Sequence, residues 1–282
     1  MSRAGSTVAE ALALGGRLLP ERAGIPDPLR EAAWLLASAM GRRRPWLVAH
    51  PEAEIPAEAE ARYREWLDRR AVGEPAEHLT GWCGFWGRDL EVTPEVLVPR
   101  PESELIVQTA LALPLPRAAR VLDVGTGSGC LAMTLAAERP RWTVAAVDRS
   151  LTALEVARRN VHRHRVDVGL VAGDLATAVS PPLDLVVANL PYIPTDRLGE
   201  LPVEVAREPR GALDGGIDGL APIRRLLADL HRLLRPCGGA VLELGEDQAD
   251  AVGAAAREHR LAVARRVRDA GGADRVVVLQ PV

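Results

Sequence analysis

The chain has 282 residues, 48% of them hydrophobic and only 3% aromatic, with a formal net charge of −3. That length fits a medium domain beside a smaller one, with a core built mainly from Ala, Leu and Val. The near-neutral charge argues against nonspecific binding to a nucleic-acid backbone, and no run of about 18 apolar residues is present to span a membrane. Every basic side chain is Arg, and Lys is absent. The three cysteines, Cys83, Cys130 and Cys237, lie far apart, with no CxxC pair and no His cluster. Neither a disulfide framework nor a metal site is expected, and a reducing, cytoplasmic setting is. The N-terminal MSRAGSTVAEALALGG has a short apolar part interrupted by Glu10, so no secretory leader is expected.

Residues 1–72 read as a small helical bundle. Apolar residues recur at helical spacing in VAEALALGGRLL, DPLREAAWLLASAM and AEARYREWLDRRAV. Thr7 and Asp27 suit N-caps, Pro28 suits a first helical position, and Gly24, Gly41 and Pro56 punctuate the segments. Residues 73–103 form a linker rich in Gly and Trp, with a hairpin predicted between 84–88 and 90–93.

Residues 104–282 alternate strand and helix. Strands are predicted at 120–124, 143–147, 169–171, 183–188, 240–244, 263–267 and 275–279, and helices at 104–112, 130–138, 152–164, 221–234 and 247–258. Nearly all-apolar strands alternating with helices predict an α/β domain, a mainly parallel seven-stranded Rossmann-like sheet covered on both faces. The last two strands follow one another without a helix, which allows one antiparallel edge strand.

The loops that end these strands carry the chemistry. ARVLDVGTGSGCLAMTLA is a strand, a Gly-rich turn and a helix, with Asp123, Gly125, Thr126, Gly127, Ser128 and Gly129 where a ligand would sit in an open α/β sheet. The spacing is GxGxG, and the Lys-Ser/Thr ending of a P-loop is missing. The next strand ends in Asp148, an acidic residue placed to accept hydrogen bonds from both ribose hydroxyls. VAGDL ends the third strand, with Asp174 for an exocyclic amine and Leu175 for a ring face. These loops suit a nucleoside cofactor without choosing between cofactors.

The fourth strand ends in Asn189-Leu190-Pro191-Tyr192. This resembles the [N/D/S]PP[Y/F] signature of methyltransferases acting on planar amide or amine nitrogens. An amide nitrogen is a poor nucleophile because its lone pair is delocalised. It needs acceptors that hold its N–H bonds and turn the lone pair toward the methyl group. The Asn189 side-chain oxygen and the Leu190 carbonyl suit that task, with Asn189 expected to contact the cofactor as well; Pro191 fixes the turn, and Tyr192 suits packing on the flat acceptor.

As a whole the chain resembles the HemK/PrmC family of release-factor glutamine methyltransferases. The likeness runs through GEPAEHLTGWCGFWG, VLVPRPESELIV, DVGTGSGC, NLPY, REPRGALDGGIDGL and LRPCGGAVLELGEDQ. It implies a helical substrate-recognition domain (1–72), a β-hairpin linker (73–103) and a catalytic domain (104–282). It implies S-adenosyl-L-methionine as cofactor, S-adenosyl-L-homocysteine as product and no metal. The implied acceptor is the Gln of the GGQ motif in class I peptide chain release factors; separately, the protein is expected to be a monomer. Two positions depart from the family pattern: Leu190 replaces a proline, and Ser103 replaces the threonine of PRPETE. NLPY also resembles the loop of rRNA adenine dimethyltransferases, against which the charge and the N-terminal helices argue. A sister family methylating a ribosomal-protein glutamine shares most motifs, and PRPESE favours the release-factor branch.

Overall fold

A computed structural model describes residues 5–19, 25 and 27–282. Gly24, read as a break between helices, lies outside the described residues. The chain divides into two compact units.

The first unit holds the described part of Met1–Trp82 together with Leu201–Arg207. Its helices are α1 (Val8–Leu18), α2 (Pro28–Ala39), α3 (Arg44–Ala49), α4 (Ala57–Ala71) and α5 (Ala76–Thr80). The predicted caps are in place. The Thr7 side chain accepts from the Glu10 N–H at 3.3 Å, and the Glu10 carboxylate accepts from the Thr7 N–H at 2.8 Å. Asp27 accepts from the Arg30 N–H at 3.0 Å, with Pro28 opening α2. These bonds satisfy donors that a helix start leaves unpaired. Val8, Ala11, Leu35, Leu36, Tyr63 and Leu67 share one buried cluster, and the Tyr63 hydroxyl donates to the Ala11 carbonyl at 3.2 Å. Arg70 is buried between the carboxylates of Glu31 and Glu204, so the segment Leu201–Arg207 is tied to this unit by a part-buried ion pair.

The second unit spans Cys83–Glu200 and Glu208–Val282. It opens on a hairpin of β1 (Trp82–Phe85) and β2 (Arg88–Glu91). This corrects the expected strands at 84–88 and 90–93. The turn is Trp86-Gly87, both with positive φ (50° and 68°), as the tight hairpin turn with two left-handed residues requires. A tryptophan rarely takes that conformation, which is why the sequence pattern runs a strand through it.

Then follow α6 (Glu104–Ala112), β3 (Arg120–Val124), α7 (Cys130–Glu138), β4 (Thr143–Asp148), α8 (Leu151–His164), β5 (Val168–Ala172) and β6 (Leu183–Ala188). After β6 come α9 (Val203–Ala206, within the first unit), α10 (Arg210–Leu213), α11 (Ala221–Leu233), β7 (Leu234–Glu243), α12 (Ala249–Glu258), β8 (Leu261–Arg268) and β9 (Asp274–Pro281). The seven-stranded sheet has the order β5-β4-β3-β6-β7-β9-β8. β3 to β7 pair in parallel, while β9 is antiparallel to both β7 and β8.

The antiparallel strand is therefore internal, and not at the edge as expected. Composition explains the order. In β9 the residues Val276, Val277, Val278 and Leu279 are all buried, so this strand gains most from neighbours on both sides. β8 carries Arg265, Arg266 and Arg268 and is largely exposed. A charged strand is the one that tolerates an edge and discourages further pairing.

Successive side chains of β3 point to opposite faces. Leu122 and Val124 join a cluster with Leu226, Leu227 and Leu230 of α11 and Val252 and Ala256 of α12. Val121 joins another with Ile106 and Val107 of α6 and Leu131 and Met133 of α7. The Rossmann-like arrangement expected from the alternation of elements is present, and it is the class I methyltransferase arrangement that the family resemblance implies.

Candidate functional site

The chain passes from β3 to β4 and β5 on one side, then crosses to β6 on the other. The strand order therefore reverses beside β3, the place where open α/β sheets leave a crevice at the carboxyl ends of their strands. A cavity of about 360 Å³ lies there, within the range of about 300–1,000 Å³ usual for small-molecule sites.

Of the residues singled out in the sequence, Gly125, Thr126, Gly127, Ser128, Asp148, Asp174, Leu175, Asn189, Leu190 and Pro191 line this cavity. Loops after four strands thus converge on one volume. Asp123, Gly129 and Tyr192 are not among the lining residues. Asp123 lies fully buried beneath the glycine loop, where its Oδ2 accepts from the Thr126 hydroxyl at 2.6 Å and the Ala132 N–H at 3.1 Å. Its Oδ1 has no partner among the described residues. Burial, opposed by those two hydrogen bonds and reinforced by Asp148, pushes its pKa up to about 7. Gly129 caps α7 with φ of 81°, and a side chain there would stand 3.1 Å from Ala157 Cβ, so both conformation and space call for glycine.

Asp148 shapes the loop as well as facing the cavity. Its Oδ2 accepts from the Gly127 N–H and its Oδ1 from the Ser150 N–H, each at 2.9 Å. Asp174 forms an ion pair with Arg225, which also lines the cavity. Leu175 has φ of 51°, a backbone region that a branched side chain enters only when its surroundings hold it there.

Leu190 carries more than its carbonyl. Its side chain is 4% exposed within the cluster beneath β6, and a Cβ on Gly125 would lie 3.0 Å from Leu190 Cδ2. The glycine loop and the NLPY turn therefore meet at this leucine. Tyr192 is half-buried against the same cluster, and its carbonyl accepts from Gln248 Nε2 at 2.8 Å. Burial and the nearby Glu243 push the Tyr192 hydroxyl up to about 12.

Register brings Asn189 beside a carboxylate. Ala188 of β6 pairs with Leu242 of β7, so the next residues, Asn189 and Glu243, leave adjacent strands together. Asn189 Nδ2 donates to Ser103 Oγ at 2.9 Å, and Ser103 Oγ donates to Glu243 Oε2 at 2.6 Å. Ser103 and Glu243 are each 2% exposed. Burial pushes the Glu243 pKa up to about 7; Ser103, Arg275 and Asn189 favour the ionised form, while Glu102 opposes it.

Sequence reading missed several of these groups. Asn160 of α8 is wholly buried, with its Oδ1 accepting from the Glu91 N–H at 2.7 Å and its Nδ2 donating to the Glu91 and Ser128 carbonyls at 2.9 Å. It joins the hairpin to the glycine loop. Glu208, which the sequence marks only within REPRGALDGGIDGL, is buried. It accepts from the Val98 N–H at 2.8 Å and pairs with Arg100, which lines the cavity. Between Glu208 and Gly216 only the short α10 is helical, and Pro209, Gly211, Ala212 and Asp214 reach the cavity wall.

The family model described as PrmC N-terminal domain matches residues 10–81, and Methyltransferase small domain matches residues 102–200. The release factor glutamine methyltransferase of Caulobacter vibrioides is 42% identical over 261 residues, covering 91% of this chain and 90% of that one. That of Pseudomonas aeruginosa is 40% identical over 257 residues, covering 90% and 93%. The crystal structure of a methyltransferase from Pyrococcus furiosus shares the fold, with a TM-score of 0.54 and 21% identity over 71% of this chain and 92% of that one. Full-length likeness at this level, on a sheet whose strand ends carry the glycine loop and the NLPY turn, makes the chain a member of the release factor glutamine methyltransferase family.

Proposed function

We propose that the chain transfers a methyl group from S-adenosyl-L-methionine to the side-chain amide nitrogen of the GGQ glutamine in class I peptide chain release factors, leaving S-adenosyl-L-homocysteine. The observation that carries this reading is that Asn189, Leu190 and Pro191 line the same cavity as the glycine loop. A nucleoside cofactor and an amide acceptor would there share one volume.

The residues present fit that cofactor. A cavity of about 360 Å³ is walled by the backbone of Gly125 and Gly127, by the carboxylates of Asp148 and Asp174, and by Leu175. Asp148 would accept from the ribose hydroxyls, Asp174 from the adenine amine, and Leu175 would face the ring. When bound, the cofactor supplies an electrophilic methyl group on a sulfonium, which needs no Lewis acid, so the reading requires no metal. Asn189 Oδ1 and the Leu190 carbonyl would accept from the acceptor amide and hold its nitrogen toward the cofactor side of the cavity. The work of these residues is positioning and charge placement. The same reading takes the protein to act as a monomer in the cytoplasm, on a protein partner and not on nucleic acid. The net charge of −3 supports the last point.

Incubation of the full-length protein with a class I release factor and cofactor, followed by peptide mass spectrometry, tests this. One added methyl on the GGQ glutamine is expected, with turnover about a hundredfold lower in Asn189→Ala. Methylation of a ribosomal-protein glutamine in place of the release factor would sink the assignment.

A further inference from the structure

We propose that Glu243, acting through the Ser103 hydroxyl, fixes which way round the Asn189 side-chain amide sits, so that its Oδ1 is the atom offered to the acceptor. The proposal rests on the reading of Asn189 as the group that holds the acceptor amide.

A side-chain amide has two ends of nearly equal size and opposite hydrogen-bonding sense. Turned one way, Asn189 offers an acceptor to an incoming N–H. Turned the other way, it offers N–H protons to N–H protons, and the substrate amide is repelled. Packing alone does not distinguish these states, so something must read the polarity of the amide.

Ser103 does so because a hydroxyl carries a single proton. That proton is committed to Glu243 Oε2 at 2.6 Å. Toward Asn189 the Ser103 oxygen then has only lone pairs to offer, and Nδ2 meets it at 2.9 Å. A flipped Asn189 would press Oδ1 against an oxygen with no proton left, inside a site where Ser103 and Glu243 are both 2% exposed. Leaving a polar group unpaired there is costly. An ionised carboxylate is the one side chain of this size that accepts and never donates, so the direction of the relay is one-way. Register makes the relay possible, since the Ala188–Leu242 pair sets Asn189 and Glu243 side by side. Ser103 reaches them from the turn ahead of α6. Burial and Glu102 raise the Glu243 pKa to about 7 against the hydrogen bonds from Ser103 and Asn189 and the charge of Arg275 of β9, so the carboxylate is ionised, and the relay one-way, above about pH 7. Ser103 and Glu243 are positioning residues: they act on the acceptor only through Asn189.

Three variants of the full-length protein test this: Glu243→Gln, Ser103→Ala and Ser103→Thr. The amide introduced by Glu243→Gln accepts or donates with equal ease, and Ser103→Ala removes the relay. Both are therefore expected to lower kcat for release-factor methylation by about ten- to a hundredfold, the scale of one displaced polar group. Calorimetric cofactor affinity in Glu243→Gln should stay within about twofold of wild type, since Glu243 does not line the cavity. Ser103→Thr keeps the hydroxyl and should retain near wild-type kcat. The nitrogen resonance of the Asn189 side-chain amide, recorded by NMR, should move in Glu243→Gln and Ser103→Ala and stay in Ser103→Thr. Folded Glu243→Gln protein with unchanged kcat and an unmoved Asn189 resonance would overturn the proposal, as would loss of cofactor affinity in step with kcat. If wild-type protein leaves release factor unmethylated while the Asn189 resonance responds as expected, the substrate reading fails and the relay stands.

Discussion

Replacing Asp123 with asparagine isolates what it costs to bury a carboxylate under the glycine loop. Asp123 is 0% exposed, and one of its oxygens has no partner among the described residues. Its pKa rises from 3.8 to about 7, chiefly through burial. The unfolded chain ionises near the lower value, so between the two the folded protein holds a proton that the unfolded chain has released. Stability from this group is fully present below about pH 4 and is lost as pH rises through about 7. At about 1.4 kcal/mol per pKa unit, the full window corresponds to about 4 kcal/mol, of which about 3 falls between about pH 5 and about pH 8. Asparagine keeps an oxygen for the Thr126 and Ala132 bonds and does not titrate. Urea unfolding of cofactor-free Asp123→Asn and wild type at both pH values is the assay. The stability difference is expected to shift in favour of the variant by about 3 kcal/mol from the lower pH to the higher. Glu243, whose pKa is also raised to about 7, is common to both proteins and cancels. A difference that is the same at both pH values would refute the reasoning, because Asp123 would then not titrate in that window.

Asp148→Ala removes the acceptor for the Gly127 and Ser150 N–H groups as well as the proposed ribose contact; calorimetry should show cofactor affinity weakened by about 1.5–3 kcal/mol, and an unchanged value would move the ribose site elsewhere. Leu190→Pro keeps the carbonyl, and the Leu190 N–H donates to no backbone acceptor among the described residues. Activity should persist while unfolding free energy drops by about 1–3 kcal/mol, because a side chain only 4% exposed is cut back; complete loss of turnover in folded protein would contradict this. Thr134→Val should raise stability by about 1 kcal/mol at unchanged turnover, since the Thr134 Oγ1 is buried and unpaired among the described residues; a loss of stability in thermal melts would mean that the hydroxyl has a partner.

What the sequence made legible was local or periodic. DVGTGSG and NLPY each carry their chemistry within a few residues, and both turns fall at strand ends as expected. The apolar runs located all seven strands of the large sheet. What stayed hidden depended on distance along the chain or on unusual backbone. Glu243 reads as one more residue of an apolar strand; its meaning comes from Ser103, 140 residues earlier. Leu201–Arg207 follows the acceptor turn in sequence, yet Arg70 claims Glu204 for the first unit. The α3 and α5 helices, of six and five residues, are too short to show a helical period. The position of β9 inside β8 was readable in principle from VVVL against ARRVR, but only by weighing the two strands against each other.

Buried polarity marks the candidate site more sharply than any single motif. Eleven polar or charged residues are buried among the described residues: Arg70, Ser103, Thr109, Asp123, Thr126, Ser128, Thr134, Asn160, Asp184, Glu208 and Glu243. Seven of them belong to one construction. Ser103, Thr126 and Ser128 line the cavity; Asp123 and Asn160 hold the glycine loop from below and behind; Glu208 holds Arg100, and Glu243 holds Ser103. Each burial costs free energy that an apolar residue of the same size would not. A sheet whose β6 is buried at every position has no structural need for such a concentration at its carboxyl ends. The cost is explained if the polar groups fix the directions in which loop N–H groups and one side-chain amide point, which apolar packing cannot do. Asp123 and Glu243, both shifted to about 7 by burial, are then places where this fold gives up stability for orientation. Thr134, buried but outside the construction, is where polarity should be removable without loss of function.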